Sequence, residues 1–171
     1  VYQNWADAQK LPVREADHYE IRTVTDAFEG TIQSKLGIHT VTDSIDLYLA
    51  EGDPFYTVQK NGSEEVDYSI YDYSALDTKD KYAVFFGGNQ ALVKISTRAK
   101  TDRRFLVIQD SYAHCFLPFL FEDASEIDVV DLRYYNQKLS DLIAEGNYTD
   151  VLFLYNVAGF AEDTSLAKLL G

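Results

Sequence analysis

The regular order of apolar and amphipathic segments after Arg103 constrains the fold more than any other feature of the sequence. Three apolar runs are typical of buried strands, and the segments between them are typical of helices. The strands are RFLVIQ, EIDVVDL and DVLFLYNV. The helical segments are SYAHCFLPFLFED, which is interrupted or restarted at Pro118, NQKLSDLIAEG, and Thr164 to Leu170. This alternation predicts an α/β fold with a mainly parallel sheet, because parallel strands need a crossover segment between them.

The first half of the chain shows shorter elements. A first helix over VYQNWADAQKL precedes two short strands, from Tyr19 to Val24 and from Ile45 to Leu49. Asn61-Gly62 then separates two runs of alternating character, and Asn-Gly accepts the positive φ angles of a tight hairpin turn. We therefore predict an inserted β-hairpin over residues 54–73, within a single domain that spans residues 1–171.

The composition excludes several classes of partner and cofactor. The chain has 28 acidic and 15 basic residues and a net charge of −13. Nucleic acids and anionic membranes bind basic surfaces, so neither is an expected partner. No apolar run approaches the ~20 residues of a membrane span, so we expect membrane contact only through an anchor outside this chain. Gly87-Gly88-Asn89 lacks nucleotide-loop spacing, and three histidines without a cysteine pair make no zinc motif, so no metal or other cofactor is expected.

Polar side chains follow each of the three predicted parallel strands. Asp110 and Ser111 come after the first, Asp131 and Arg133 after the second, and Asn156 after the third. Right-handed crossovers bring these carboxyl ends to one edge of the sheet, where open α/β sheets form their binding sites. The sequence therefore predicts a crevice lined by a hydroxyl, a guanidinium and an amide.

Ser111 is the candidate nucleophile of this crevice. It lies at a strand-to-helix turn, where backbone amides can stabilise a developing oxyanion, and Asn156 can donate a second hydrogen bond. In the alternative interpretation Ser111 or Asp110 only caps the following helix, and Asn156 forms a turn. Arg133 has two interpretations of equal weight, as a ligand for substrate or as the partner of Asp110 or Asp131 in a structural ion pair.

A serine nucleophile needs a base, and none of the three histidines is a convincing one. His114 lies three residues after Ser111 and is predicted to point along the helix, while His18 and His39 lie in a polar region that is typical of a surface. Cys115 has apolar neighbours and is predicted to be buried in that helix.

The run FLVIQDSYAHCFLPFLFEDASEIDVVDLRYYN resembles the DHHW family of bacterial envelope proteins. DAFEGTIQSKLG, FFGGNQALVKIST and DVLFLYNVAGF are similar to other segments of that family, in the same order along the chain. The family is related to the SGNH hydrolases and to alginate O-acetyltransferase-like proteins. The resemblance implies an SGNH-like three-layer α/β/α fold, acyl-ester chemistry and a location outside the cytoplasm or in the cell envelope.

By position, the resemblance makes Ser111 of the Asp110-Ser111 turn the nucleophile. Asn156 and the backbone amide of Ser111 or Tyr112 would stabilise the oxyanion. Apart from the resemblance, Arg133 and Asp110 are the candidate substrate-binding residues of the predicted crevice. The family's Asp-His-His-Trp motif, which supplies the base, is expected upstream of the first helix, and Asp17-His18-Tyr19 does not replace it. We therefore expect an N-terminally truncated domain that is inactive alone.

Two functions follow from the resemblance. The first is a serine esterase or O-acyltransferase that acts on acylated cell-envelope carbohydrate or a small ester. The second is a non-catalytic carbohydrate-binding or scaffold domain with the same fold, which the tyrosine-rich hairpin favours. An intracellular interaction domain without a site is a third hypothesis.

Overall fold

A computed structural model describes residues 1–37, 41–50 and 55–170. Its main sheet has five strands in the order β3-β4-β6-β5-β7. These strands are β3 (Tyr56–Lys60), β4 (Leu92–Thr97), β5 (Arg104–Gln109), β6 (Glu126–Val130) and β7 (Asp150–Leu154). A separate antiparallel ribbon pairs β1 (Tyr19–Phe28) with β2 (Asp43–Ala50).

The predicted SGNH-like three-layer α/β/α fold with a mainly parallel sheet and an inserted hairpin is wrong. β5 pairs in parallel with β6 and β7, but β4 is antiparallel to both β3 and β6, so the sheet is mixed. Only residues 98–103 connect β4 to β5, which is shorter than the dozen or more residues of a parallel crossover. In this sheet β3 is an edge strand, because among the described strands it pairs only with β4.

The Asn61-Gly62 turn is confirmed, but the strand predicted after it is not continuous. Asn61 and Gly62 have φ angles of 54° and 73°, and the Ser63 N–H donates to the Lys60 carbonyl at 2.9 Å. Beyond this turn, a single bridge between Val58 and Asp67 joins the returning chain to β3. Residues 51–54 lie outside the described residues, and the assignment of a single domain stays a prediction.

The helices of the described residues are few and short. They are α1 (Tyr2–Ala8), α2 (Thr31–Leu36), α3 (Leu139–Gly146) and α4 (Val157–Glu162). The segments predicted as helices around Pro118 and after Thr164 are 3₁₀ turns, at Ser111–Ala113, Leu117–Leu120 and Thr164–Leu170. Around Pro118 the amides bond three residues back, with Phe119 N–H donating to the Phe116 carbonyl at 3.1 Å, because proline lacks the N–H of a regular turn. Among the described residues, no helix is long and apolar enough to cross a membrane.

The interior strand β5, which lies between β6 and β7, is buried on both faces, which explains its unbroken apolar sequence. Phe105 and Val107 belong to a core beneath α1, whereas Leu106 and Ile108 belong to a second core beneath α3. Successive side chains of a strand point to opposite faces, so one strand contributes to both cores. The end of β5 is therefore held from two sides, and this fixes the position of the residues that follow it.

The connection between α1 and β1 is tied to the segment before β6 by charged side chains. Arg14 makes two hydrogen bonds to Asp123, at 2.7 and 3.0 Å, and its Nε lies 3.3 Å from a Glu122 oxygen. His18 Nε2 lies 2.7 Å from the other Glu122 oxygen, and the Tyr2 hydroxyl donates to Asp123 at 3.2 Å. We call these five residues the clamp.

Candidate functional site at the carboxyl edge of the parallel strands

The sheet register places the predicted site residues in one row. Ile108 pairs with Val130, and three residues further along each strand stand Ser111 and Arg133. Gln109 pairs with Leu154, and two residues further stand Ser111 and Asn156. Adjacent strands are about 4.8 Å apart, so the hydroxyl, guanidinium and amide residues occupy neighbouring positions at this edge.

Asp110 fixes the turn that carries Ser111. Its buried carboxylate accepts a hydrogen bond from the Tyr112 N–H at 3.0 Å, which caps the 3₁₀ turn. The second carboxylate oxygen accepts from the backbone N–H and the Nδ2 of Asn156, at 3.0 and 2.5 Å. Asp110 therefore joins the ends of β5 and β7, and its oxygens are already engaged within the protein.

Ser111 itself is half-buried, and its Oγ has no hydrogen-bond partner within the part of the chain that the structure describes. The next side chain, Tyr112, is exposed. Because the Tyr112 N–H donates to Asp110, the Ser111 N–H is the amide of this turn that remains for an oxyanion. The Ser111 hydroxyl is therefore available to a group outside the described residues.

Asn156 caps α4 and is oriented at both ends of its amide. Its Oδ1 accepts a hydrogen bond from the Gly159 N–H at 2.8 Å, while its Nδ2 donates to Asp110. A methyl group at Gly159 would stand 2.6 Å from this Nδ2 and 2.8 Å from Asp110 Oδ2, so glycine makes the close approach possible. One Nδ2 hydrogen remains for another acceptor, because an amide nitrogen carries two.

Arg133 pairs with Asp131. The guanidinium donates to both carboxylate oxygens, from Nε at 2.9 Å and from Nη2 at 2.6 Å, and the Arg133 backbone N–H adds a third hydrogen bond at 3.1 Å. These hydrogen bonds raise the pKa of Arg133 above its usual value. The Asp131 side chain is 1% exposed and that of Arg133 is 37% exposed, so the guanidinium keeps a face toward solvent.

The described histidines do not lie in the geometry of a base for Ser111. His114 is buried against Tyr82 and Phe86, at centroid distances of 6.1 and 5.4 Å, and its Nδ1 has no partner among the described residues. Burial lowers the pKa of His114 to about 4, so the ring is neutral near pH 7. His18 belongs to the clamp. His39 lies outside the described residues.

A cavity of about 580 Å³ adjoins the Ser111 turn. Aromatic residues of α1, β1, β2, the segment after Ser111 and the end of β7 line about half of its wall, and Arg14 and Asn156 also line it. Its aromatic members are Tyr2, Tyr19, Tyr48, Tyr112, Phe116, Phe119 and Tyr155. Cys115 also lines this cavity and is exposed, so the prediction that Cys115 is buried is wrong.

Asn89 and Tyr134 also lie at this edge, and the sequence pattern did not predict either of them as a site residue. Leu92 of the antiparallel strand β4 pairs with Val130 of β6. Asn89 lies three residues before Leu92, and Arg133 lies three residues after Val130, so both belong to the same edge of the sheet. Asn89 Nδ2 also donates to the Tyr134 hydroxyl at 3.4 Å. An antiparallel strand begins where its parallel neighbours end, so recognising the direction of β4 would have placed Asn89 here.

The loop before Asn89 has an unusual backbone. Phe86, Gly87 and Gly88 have φ angles of 62°, 70° and 96°, and a bulky side chain such as Phe86 seldom adopts this conformation. The Phe86 side chain is buried against His114, and its N–H donates to the Ile70 carbonyl at 2.6 Å. The loop is thereby fixed against the segment that follows Ser111.

A family model described as DHHW protein matches residues 20–130 of this chain. A search of curated proteins found no match. Among solved structures, the fold resembles that of a DHHW family protein from Eubacterium siraeum DSM 15702, with 25% sequence identity and a TM-score of 0.82. The alignment covers 99% of this chain and 58% of that protein.

Two structures of Bacillus cereus PatB1 share the fold. The one with a sulfonyl adduct is 23% identical with a TM-score of 0.76, over 96% of this chain and 58% of PatB1. The other PatB1 structure is 20% identical with a TM-score of 0.74, over 95% of this chain and 58% of PatB1. The chain thus spans less than two thirds of these proteins. Since the family model covers most of its length, the chain belongs to the DHHW family.

Proposed function

We propose that this chain carries the nucleophile of an enzyme that cleaves or transfers acyl esters, with Ser111 as that nucleophile. The observation that carries the proposal is the position of Ser111, whose hydroxyl has no partner among the described residues and which follows the interior strand β5, in the row that also holds Arg133 and Asn156. The DHHW membership and the resemblance to PatB1 support an acyl-related role. A sulfonyl adduct forms at an activated nucleophile, so the adduct of PatB1 favours nucleophilic chemistry in this fold.

The reaction has two halves. Ser111 Oγ attacks the ester carbonyl carbon and loses its proton to a histidine, which an aspartate orients. The Ser111 backbone N–H and the second Nδ2 hydrogen of Asn156 stabilise the negative oxygen. When the carbon–oxygen bond to the alcohol breaks, the alcohol takes the proton from the histidine. In the second half, water or an acceptor hydroxyl gives a proton to the histidine and attacks the acyl carbon, the bond to Ser111 Oγ breaks, and the histidine returns the proton to Ser111.

The histidine and aspartate belong to segments of a longer protein in this proposal, which follows the relationship of the family to SGNH hydrolases. None of the described histidines replaces them, because His114 is buried and His18 is held by Glu122. The 580 Å³ cavity beside Tyr112 and Asn156 gives such a segment access to the turn. Residues 1–171 alone are therefore expected to have little activity.

The proposed substrate is an acylated carbohydrate of the cell envelope or a small ester, and the proposed location is outside the cytoplasm. The net charge of −13 favours a neutral glycan over an anionic one, because like charges repel. A role for Asp110 in binding substrate requires one of its oxygens to exchange an internal hydrogen bond, whereas the exposed face of Arg133 can donate without rearrangement.

The test compares hydrolysis of 4-nitrophenyl acetate by a longer protein that contains these residues, by its Ser111→Ala variant and by residues 1–171. We expect activity only in the longer wild type, with a loss of at least about 10³-fold in Ser111→Ala, because removal of a nucleophile abolishes the covalent route. Ser140→Ala, which removes an exposed hydroxyl on α3, is the matched control and should keep full activity.

Labelling with phenylmethanesulfonyl fluoride gives a second measurement that needs no turnover. Mass spectrometry should locate the sulfonyl group on Ser111 in the longer protein, and a Cys115→Ala background removes the exposed thiol as a competing nucleophile. Equal activity and equal labelling of Ser111→Ala and wild type would refute the proposed nucleophile.

A non-catalytic carbohydrate-binding or scaffold domain is the second candidate. The observation that favours it is the internal use of Asp110 and Asn156, which hold β5, β7 and α4 together as structural caps. Retention of ligand binding without any Ser111-dependent turnover in the longer protein would select this candidate.

A further inference from the structure

Tyr134 presents an aromatic surface next to the Ser111 row. Its side chain is 48% exposed, whereas the neighbouring Tyr135 is buried. The Tyr134 N–H donates to the Asp131 carbonyl at 3.0 Å, and Arg133 is fixed on the Asp131 carboxylate. The ring is thus carried by a short turn whose conformation is held by a buried carboxylate.

Two polar groups frame this ring. The Arg133 guanidinium carbon lies 5.5 Å from the ring centroid, and Asn89 Nδ2 donates to the ring hydroxyl at 3.4 Å. Asn89 is exposed, and the loop before it is fixed by the buried side chain of Phe86. The surface therefore offers an aromatic face, a carboxamide and the solvent-facing part of a guanidinium in a preformed arrangement.

This combination fits a hydroxylated ring that is apolar on one face and polar at its rim. The aromatic face packs against the C–H groups of a sugar, while the amide and guanidinium bind its hydroxyls. A neutral sugar suits a chain of net charge −13 better than an acidic one.

We propose that Tyr134, Asn89 and Arg133 form a subsite for a neutral pyranose ring, one strand spacing away from Ser111. This proposal rests on the proposed function in placing an acyl ester of the bound glycan at Ser111. Tyr134 is then the residue that determines specificity for a sugar, and it takes no part in the chemical step. Sugar binding by the subsite requires only the described residues 89, 133 and 134.

The test measures the dissociation constant of residues 1–171 for cellopentaose and for partly O-acetylated cellopentaose by NMR titration. We expect Tyr134→Ala to weaken binding about threefold to tenfold, which is the range for loss of one aromatic contact. Tyr134→Phe keeps the ring and should lose less, and Asn89→Ala should show an intermediate loss. Tyr68→Ala removes another exposed tyrosine, on the segment after β3, and should bind like the wild type.

The outcomes separate this proposal from the proposed nucleophile. Absence of binding to both oligosaccharides, or equal binding by Tyr134→Ala and wild type in a folded protein, would overturn the subsite. Binding that depends on Tyr134 and persists in Ser111→Ala supports it. Tyr134-dependent binding together with a Ser111 that does not react with the sulfonyl fluoride supports the subsite and refutes the nucleophile.

Discussion

The clamp and the site edge each contain an arginine that binds a carboxylate through two hydrogen bonds, but the two pairs differ in what they join. Arg14 and Asp123 are 109 residues apart in sequence, and their side chains are 12% and 2% exposed. Arg133 and Asp131 are two residues apart, and their side chains are 37% and 1% exposed. The same paired contact therefore joins distant segments in one region and shapes a single turn in the other.

This difference predicts which pair contributes more to stability. The pair between distant segments stabilises tertiary structure, and removal of the Asp123 carboxylate leaves the largely buried Arg14 guanidinium with Glu122 as its remaining acidic partner within the described residues. The local pair contributes less, because Arg133 is 37% exposed and water can reach the Asp131 carboxylate once the guanidinium is removed. The local pair also holds the guanidinium beside the Tyr134 ring.

The largest effect is expected from Asp123→Ala in the clamp. The Arg14 guanidinium would lose its main partner while remaining buried, so we expect the free energy of unfolding to fall by about 3 to 5 kcal/mol. Urea denaturation at pH 7 measures this loss. Glu20→Ala, which breaks the exposed pair with Arg22, is the control and should cost at most about 1 kcal/mol. An equal effect of the two substitutions would contradict the structural role of the clamp.

His114 lies beneath the site edge and should make stability depend on pH. Burial holds its pKa at about 4, against an ordinary value of 6.5, while the charges of Asp131 and Arg133 act on it in opposite directions. The unfolded chain therefore binds this proton more readily, and the stabilisation that is present above pH 6.5 is lost as pH falls toward 4. Between pH 6.5 and pH 4, this titration should lower the free energy of unfolding by roughly 3 kcal/mol.

His114→Leu removes this titration. We expect the variant to lose less stability than the wild type between pH 7 and pH 4.5, whatever its absolute stability at pH 7. Urea denaturation of both proteins at several pH values gives the two slopes. Equal pH dependence of the unfolding free energy in the two proteins would show that the pKa of His114 is the same in the folded and unfolded states.

Gly159→Ala tests the packing of the site edge. The new methyl group would approach Asn156 and Asp110 to less than 3 Å, so it should displace the amide that joins β7 to β5. We expect a net loss of about 1 to 2 kcal/mol, because overpacking costs more than the helix propensity of alanine returns. Gly30→Ala is the control, since a methyl group there has no neighbour within 4 Å. A gain of stability in Gly159→Ala would mean that the edge relaxes freely.

Arg133→Ala should have the smallest effect on stability. Removal of the 37% exposed guanidinium lets water reach the Asp131 carboxylate, which also keeps the hydrogen bond from the backbone N–H of residue 133, so we expect a loss of about 1 kcal/mol in thermal or urea unfolding. The variant should weaken sugar binding at the same time. A loss as large as that of Asp123→Ala would remove the distinction between the two pairs.

The sequence predicted the elements that depend on local patterns. The three parallel strands were predictable from their apolar runs, and the polar residues Ser111, Arg133 and Asn156 from their positions near the ends of these runs. The sheet register places these three residues in one row. The Asn61-Gly62 turn was predictable because its residues suit positive φ angles. These features are encoded within a few neighbouring positions.

The errors concern features that depend on distant contacts. The antiparallel direction of β4 is fixed by its pairing with β3 and β6, so the alternation after Arg103 could not reveal it. The break at Pro118 was predictable, but the 3₁₀ form of the turns on both sides of it was not, and Phe119 of this segment stacks on Tyr2 of the distant α1. Asn89 lies at this edge because β4 runs antiparallel to β6, and this direction was not predicted.

The shared register of the row has a consequence for how this protein can evolve. Ser111, Arg133 and Asn156 stand at matched distances from paired strand positions, so one inserted residue between Ile108 and Ser111 would shift the serine out of this row by about 3.3 Å. Connections at the opposite edge, such as residues 98–103, do not carry this restriction. We therefore expect natural variation in loop length to accumulate at the opposite edge, while the spacing after β5, β6 and β7 stays constant.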